Sequence, residues 1–251
     1  MADTAQLYLD LLKRVLTGTL ERPGPDYDDW RFPTQLLDHC IRGEVYSMLP
    51  VVRLDNVERC MKDVIAKGVP GDFIETGVWR GGATIFMRAL LKAYDVEDRR
   101  VWVADSFQGL PQPDAEKFPK EARVHASKAM TTDFKHLAVS RADVETNFAR
   151  FGLLDERVRF LEGWFKDTLP QAPIERLSVM RLDGDYYEST MDALTGLYDR
   201  LSPGGYVIID DYGEHAWADC NKAVDEFRRQ RGITAELVPV DSKCCYWQRP
   251  V

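Results

Sequence analysis

The chain has 251 residues, 45% apolar and 29% charged, enough to bury one sizeable core and ordinary for a soluble globular fold. Its net charge of −8 lacks the basic balance on which nucleic-acid binding depends, and no stretch is apolar for long enough to span a bilayer. The opening "MADTAQLYLDLLKRVLTGTL" is too regularly charged for a secretory leader, and five cysteines without CxxC or HExxH fit reduced thiols rather than zinc, so a cytoplasmic protein is expected.

Along the chain, Tyr8, Leu11, Leu12, Val15 and Leu16 recur at helical spacing and predict an amphipathic helix opening after Asp3-Thr4. "ERPGPDYDDWRFP" interrupts it with three prolines. Val57, Cys60, Met61, Val64 and Ile65 predict a second helix, capped by Asp55 or Asn56 and ended by Gly68. Residues 1–70 therefore read as a helical prefix ahead of a core spanning 71–251.

From there strands and helices alternate. "DFIETG" (72–77) predicts a strand, 81–94 a helix and "RVWVADS" (100–106) a second strand. "SRADVETNFARFG" predicts a helix with Ser140 as N-cap and Gly152 as stop. "VRFLEG", "LSVMRLDGD", a helix over 188–201, "GYVIIDDYG", a helix over 217–230, "AELVPV" and a closing strand "CCYWQR" continue the series. The polar stretch 111–140 is too long for an ordinary connection and reads as a lid insertion. This order predicts an α/β fold: a doubly wound, Rossmann-like, mostly parallel sheet with a last antiparallel strand, binding ligands beyond the C-terminal strand ends.

The first strand–helix turn, "ETGVWRGG", has the spacing G-x-x-x-G-G rather than the dinucleotide G-x-G-x-x-G, and Glu75 beside it repels phosphate. A zwitterionic, cationic cofactor such as S-adenosylmethionine suits it better, with Glu75, Thr76, Gly77 and Gly81 as the first group of candidate binding residues; the ordinary alternative is a tight turn with glycines for packing. Asp105 and Ser106 end the second strand, where a carboxylate can hold ribose hydroxyls or cap the following turn. Gly163 and Trp164 follow the third strand, where the indole can meet adenine or pack in the core. Met48 can approach the same place from the prefix or serve as packing.

"RLDGDYYEST" crowds Asp183, Asp185 and Glu188 at a strand end, so a positive partner or a shifted pKa is expected there. Glu188 suits the first turn of the next helix. Asp210-Asp211 in "VIIDDYG" end what should be the neighbouring strand, where capping is the ordinary role.

"VPGDFIETGVWRGGA", "VWVADSFQGLP", "VRFLEGWFKDTLP", "MRLDGDYYESTMDAL" and "LSPGGYVIIDDY" together resemble the macrocin O-methyltransferase (TylF-type) family, over nearly the whole chain. The resemblance implies a class I methyltransferase fold, S-adenosylmethionine as donor and Mg²⁺-dependent transfer to a deoxysugar hydroxyl of a macrolide or aminocoumarin antibiotic. It implies Asp183, Asp210 and Asp211 as metal ligands and Asp185 as general base, a chemistry that suits hard oxygen donors and a poorly nucleophilic hydroxyl. His215 is a rival base. The match is poorest over 21–50 and 112–140, where a glycosylated small-molecule acceptor would be recognised. By analogy a homo-oligomer is expected, a dimer by preference. A catechol-like phenol is the alternative acceptor, whereas an NAD-dependent oxidoreductase lacks both its glycine fingerprint and a Tyr-x-x-x-Lys pair.

Overall fold

In the computed structural model, residues 3–20, 45–127, 135–213 and 218–251 are described. Seven strands form one sheet: β1 (Asp72–Thr76), β2 (Val101–Asp105), β3 (Val158–Glu162), β4 (Leu177–Leu182), β5 (Leu201–Ile209), β6 (Val238–Pro239) and β7 (Cys245–Gln248), in the order β3-β2-β1-β4-β5-β7-β6. The first five strands pair in parallel, and β7 runs antiparallel to both β5 and β6. The expected sheet is present, although "AELVPV" contributes only Val238–Pro239 to it.

Alternation of side chains gives the sheet two apolar faces. Phe73, Val103, Val179 and Ile208 face one core with helices α1 (Thr4–Thr17), α2 (Val51–Ala66) and α3 (Gly82–Ala93). Ile74, Met180, Leu182, Val207 and Ile209 face a second core. Three elements between the strands are α4 (Pro119–His125), α5 (Arg141–Arg150) and the one-turn α6 (Phe165–Thr168). Two longer helices, α7 (Tyr187–Leu197) and α8 (Ala218–Gln230), cover the second face with Ala193, Leu194, Leu197, Val224 and Phe227. No helix among the described residues is long and apolar enough to cross a membrane.

Several boundaries differ from the sequence reading for local reasons. Asp3 caps α1 as expected, its Oδ1 accepting from Ala5 N at 3.1 Å, but the buried stripe is Leu9, Leu12 and Leu16, leaving Tyr8 and Leu11 exposed. Apolar residues lie on more than one face of this helix, and packing against α3 selects the stripe that is buried. Lys13 lies buried within that stripe and pairs with Glu58 and Asp55 of α2. The second helix starts at Val51, before the expected caps Asp55 and Asn56, behind Pro50, whose fixed φ suits a helix entry. The helix after β4 ends at Leu197, where a 3₁₀ turn (Tyr198–Arg200) leads directly into β5. Ser140 caps α5 as expected, accepting from Asp143 N. Residues 128–134 of the expected lid, most of 21–50, and His215 lie outside the described residues.

The turn between β1 and α3 is fixed by close backbone crossing. Gly77 has φ +81°, and a Cβ there would lie 1.8 Å from the carbonyl oxygen of Asp183 at the end of β4. Gly77→Ala is therefore expected to cost about 2–4 kcal/mol, from left-handed strain plus overpacking. Urea denaturation of parent and variant measures it; a cost below about 1 kcal/mol would mean that the crossing relaxes readily.

Candidate active site

The site grows from one row of alternating side chains. Glu75 and Arg181 are register partners on β1 and β4, both facing the α1–α2–α3 side. Hydrogen bonding continues past the strand ends: Asp183 N donates to Thr76 O, and Asp210 N to Leu182 O, each at 2.9 Å. Asp183 and Asp210 therefore stay in step with Arg181. Its guanidinium is 1% exposed and pairs through Nη1 with Glu75, and through Nη2 with Asp183 Oδ2 at 3.0 Å and Asp210 Oδ1 at 2.5 Å. From α2, Arg53 adds a second buried cation, 2.9 Å from Asp210 Oδ2. Burial alone would weaken Arg181's hold on its proton, but the carboxylates of Asp210, Asp183 and Glu75 outweigh it and keep the group charged.

In a second group of carboxylates the arginines nearby do not offset burial. Asp183, Asp185 and Asp211 offer oxygens that all lie within 4.8 Å of one another. Burial first, and then neighbouring carboxylates, push all three well above the usual carboxylate range. Asp210 behaves oppositely: burial would raise it, but Arg181 and Arg53 hold it below the ordinary value. Both outcomes anticipated for crowded acids, a positive partner and raised pKa values, thus occur side by side. Asp185 adopts a left-handed backbone (φ +56°), and its N–H donates to Asp211 Oδ2 at 3.2 Å, joining the ends of β4 and β5. The group is suited to a hard divalent cation, whose charge would relieve the repulsion.

The carboxylates open onto a cavity of about 640 Å³, within the range of small-molecule sites. Among the residues predicted to bind cofactor, Gly77, Asp105, Ser106 and Trp164 line it, together with Asp183, Asp185 and Met48. Asp105 also organises its own wall: Oδ2 accepts from Val78 N (2.8 Å) and Trp79 N (3.3 Å), and Oδ1 from Phe107 N (2.7 Å). Gly81 supports the same turn as the left-handed N-cap of α3, and Gly163 N donates to Asp105 O. Glu75 and Thr76 are buried behind the turn, Glu75 engaged with Arg181 rather than lining the cavity. Trp79, also left-handed at φ +50°, reaches out from the turn and donates its indole N–H to His136 O at 2.9 Å.

On the opposite wall, α4 rests on the start of α7. Phe118 stacks on Tyr187 at 4.9 Å, Glu121 Oε1 accepts from Tyr187 N at 2.7 Å, and His125 Nδ1 lies 3.0 Å from Tyr186 Oη. Tyr187 and Glu188, the latter in the first turn of α7 as expected, line the cavity. Arg53, Glu121, Arg181 and Asp241 were not singled out from the sequence. The signal for Arg181 was available: an arginine inside the apolar run "LSVMRL" must find a buried partner.

A parallel sheet with an antiparallel strand inserted at its edge, a glycine-rich first turn and acidic ends on β4 and β5 beside a cavity define a class I methyltransferase. The family model of macrocin-O-methyltransferase (TylF) matches residues 38–249, and the chain belongs to that family of O-methyltransferases. It is 46% identical to a demethyldecarbamoylnovobiocin O-methyltransferase of Streptomyces niveus, with 98% of this chain and 94% of the relative covered. It is 47% identical to a mycinamicin III 3''-O-methyltransferase of Micromonospora griseorubida, covering 97% and 96%. The solved structure of the O-methyltransferase NovP, 46% identical, superposes with a TM-score of 0.86 over 98% of this chain and 100% of that one. A putative caffeoyl-CoA O-methyltransferase from Staphylococcus aureus, 11% identical with a TM-score of 0.55, shares the fold alone.

The buried contact between α4 and α7 generates a pH prediction. Burial, with Asp219 and Glu188 nearby, raises Glu121 from 4.5 to about 7 against the hydrogen bond from Tyr187. The folded state thus favours the protonated acid, so this stabilisation is complete below the unfolded pKa and lost as pH rises through about 7. Glu121→Gln keeps an acceptor for Tyr187 N–H and removes the charge. It should be more stable than the parent by about 1–3 kcal/mol at about pH 8, and gain nothing at about pH 4. Urea midpoints at the two pH values check this; an equal effect at both would detach it from titration.

Proposed function

We propose that this protein transfers the methyl group of S-adenosylmethionine to a hydroxyl of a deoxysugar on a glycosylated natural product of the macrolide or aminocoumarin kind, with Mg²⁺ held at the carboxylate cluster. The observation that carries this reading is the set of close acidic oxygens of Asp183, Asp185 and Asp211 beside the cavity of a chain in this family. The named relatives acting on novobiocin and mycinamicin precursors support the acceptor class.

The donor set fits the metal. Asp183, Asp185 and Asp211 bring oxygens within 4.8 Å of one another; Asp210 lies outside that group, paired with Arg181 and Arg53, and would join it through Oδ1, which accepts no hydrogen bond of good geometry. Asp183, Asp210 and Asp211 would hold Mg²⁺, which supplies Lewis acidity toward the acceptor hydroxyl. Asp185 is the general base. Burial, with Asp183 and Asp210 nearby, raises its affinity for protons above that of an ordinary carboxylate, the direction that a base for a hydroxyl proton needs. Its left-handed backbone and its tie to Asp211 hold the carboxylate at the cavity edge.

The walls arrange the donor. The backbone at Gly77 permits close approach, and Asp105 keeps the turn from Val78 to Trp79 shaped while Ser106 and Trp164 line the space for the adenosyl group. Glu75, Thr76, Gly81 and Gly163 support these walls. Direct displacement at the sulfonium methyl gains most from such positioning. Tyr187, Glu188 and the α4 contact lie where the acceptor would enter.

The test is transfer of labelled methyl from S-adenosylmethionine to desmethyl glycosylated macrolides and aminocoumarins, with Mg²⁺ or with EDTA. Product on a sugar hydroxyl that disappears in EDTA is expected; transfer to phenols alone, or transfer indifferent to EDTA, contradicts the proposal. Asp185→Asn, which tolerates the left-handed backbone, should keep S-adenosylhomocysteine and Mg²⁺ binding while losing about 10²–10⁴-fold in turnover. Full activity in that variant would remove Asp185 as the base. Loss of Mg²⁺ binding would instead place it among the ligands.

A further inference from the structure

We propose that Arg53, on the helical prefix, is a positioning residue for the cation site, holding Asp210 in place through a guanidinium that Asp241 fixes from the other side. The proposal rests on the reading of the carboxylate cluster as a metal site.

Arg53 is 2% exposed and takes hold of both the main chain and the side chain of one residue: Nη1 lies 3.2 Å from Asp210 O and 2.9 Å from Asp210 Oδ2. The other edge of the guanidinium is clamped by a fork to Asp241, Nε to Oδ2 at 2.7 Å and Nη2 to Oδ1 at 3.1 Å. Asp241 lies in the turn between β6 and β7, and its Oδ1 also accepts from Lys243 N at 2.8 Å. Three segments remote in sequence, α2, the end of β5 and the β6–β7 turn, thus meet at one planar cation.

Arg181 lies 2.5 Å from Oδ1 but is shared with Glu75 and Asp183, so Arg53 adds charge at Asp210. It also adds direction. With Oδ2 and the carbonyl of Asp210 both pinned to one rigid group, the carboxylate cannot rotate about its own axis, and Oδ1 keeps its place on the side of Arg181 and Asp183. Arginine supplies two rigid edges for this task, where a lysine ammonium offers only a point charge. A helix outside the sheet thereby sets the geometry of a site built from strand ends, as outer partners of metal ligands commonly do.

Calorimetric titration of Mg²⁺ and, separately, of S-adenosylhomocysteine into the full chain tests this in Arg53→Met, Arg53→Lys and Asp241→Asn. Arg53→Met should weaken Mg²⁺ binding about 10–100-fold while S-adenosylhomocysteine affinity changes less than about twofold. Arg53→Lys and Asp241→Asn should each show a smaller loss in the same direction, and they carry the test if the Met variant does not fold. The alternative, that Arg53 merely competes electrostatically with the cation, predicts equal or tighter Mg²⁺ binding in Arg53→Met, and that result would overturn the proposal. Parallel losses of both ligands in all three variants would also overturn it, as general loosening of the fold. A parent protein that binds no Mg²⁺ would instead refute the metal reading, and the inference with it.

Discussion

Carboxylates removed from water at one edge of a sheet repel one another, and each needs a cation or a proton. In this protein two buried arginines answer part of that demand. Arg181 stands in the row formed by Glu75, Asp183 and Asp210, and Arg53 enters from α2 to meet Asp210 and Asp241. Desolvating so many charges is costly, and such networks seldom exist for stability alone. For Asp183 and Asp211 the nearby arginines do not offset the cost of burial, and at the cluster they form with Asp185 the proposed chemistry is placed.

The order of the sheet accounts for why these groups meet. β1, β4 and β5 are neighbours although the chain places long connections between them, and their parallel pairing aligns the C-terminal ends. Side-chain alternation then carries Glu75, Arg181, Asp183 and Asp210 onto the face that receives α2. The close crossing at Gly77 brings the glycine-rich turn against Asp183, so the cavity wall at that turn and the carboxylate cluster share one backbone contact.

Much of this was legible in sequence because strong periodicity survives its context. The apolar runs ending in "DFIETG", "RVWVADS" and "LSVMRLDGD" set the strands, and Ser140 and Asp3 marked helix starts by their side-chain chemistry. The stripe of α1 was misplaced because Leu7, Tyr8, Leu9, Leu11 and Leu12 satisfy more than one face, and only packing decides between them. The start of α2 was missed because Pro50 provides no side-chain cap to recognise. In the site, the crowded aspartates announced themselves, but the partners did not. Arg53 and Asp241 lie 188 residues apart, a pairing visible only once the prefix has folded onto the sheet. Asp105 illustrates a subtler limit: sequence offered ribose binding and turn capping, and the fold uses its carboxylate for capping while still exposing it to the cavity.

The most direct measurement is the anomalous difference map of a crystal grown with Mn²⁺ and S-adenosylhomocysteine. The account predicts one strong peak at the ends of β4 and β5, within coordination distance of Asp183 and Asp211 and of Asp210 Oδ1, with Asp185 facing the open side. No peak at that edge with cofactor in the cavity, or a peak bound only elsewhere on the surface, would contradict it.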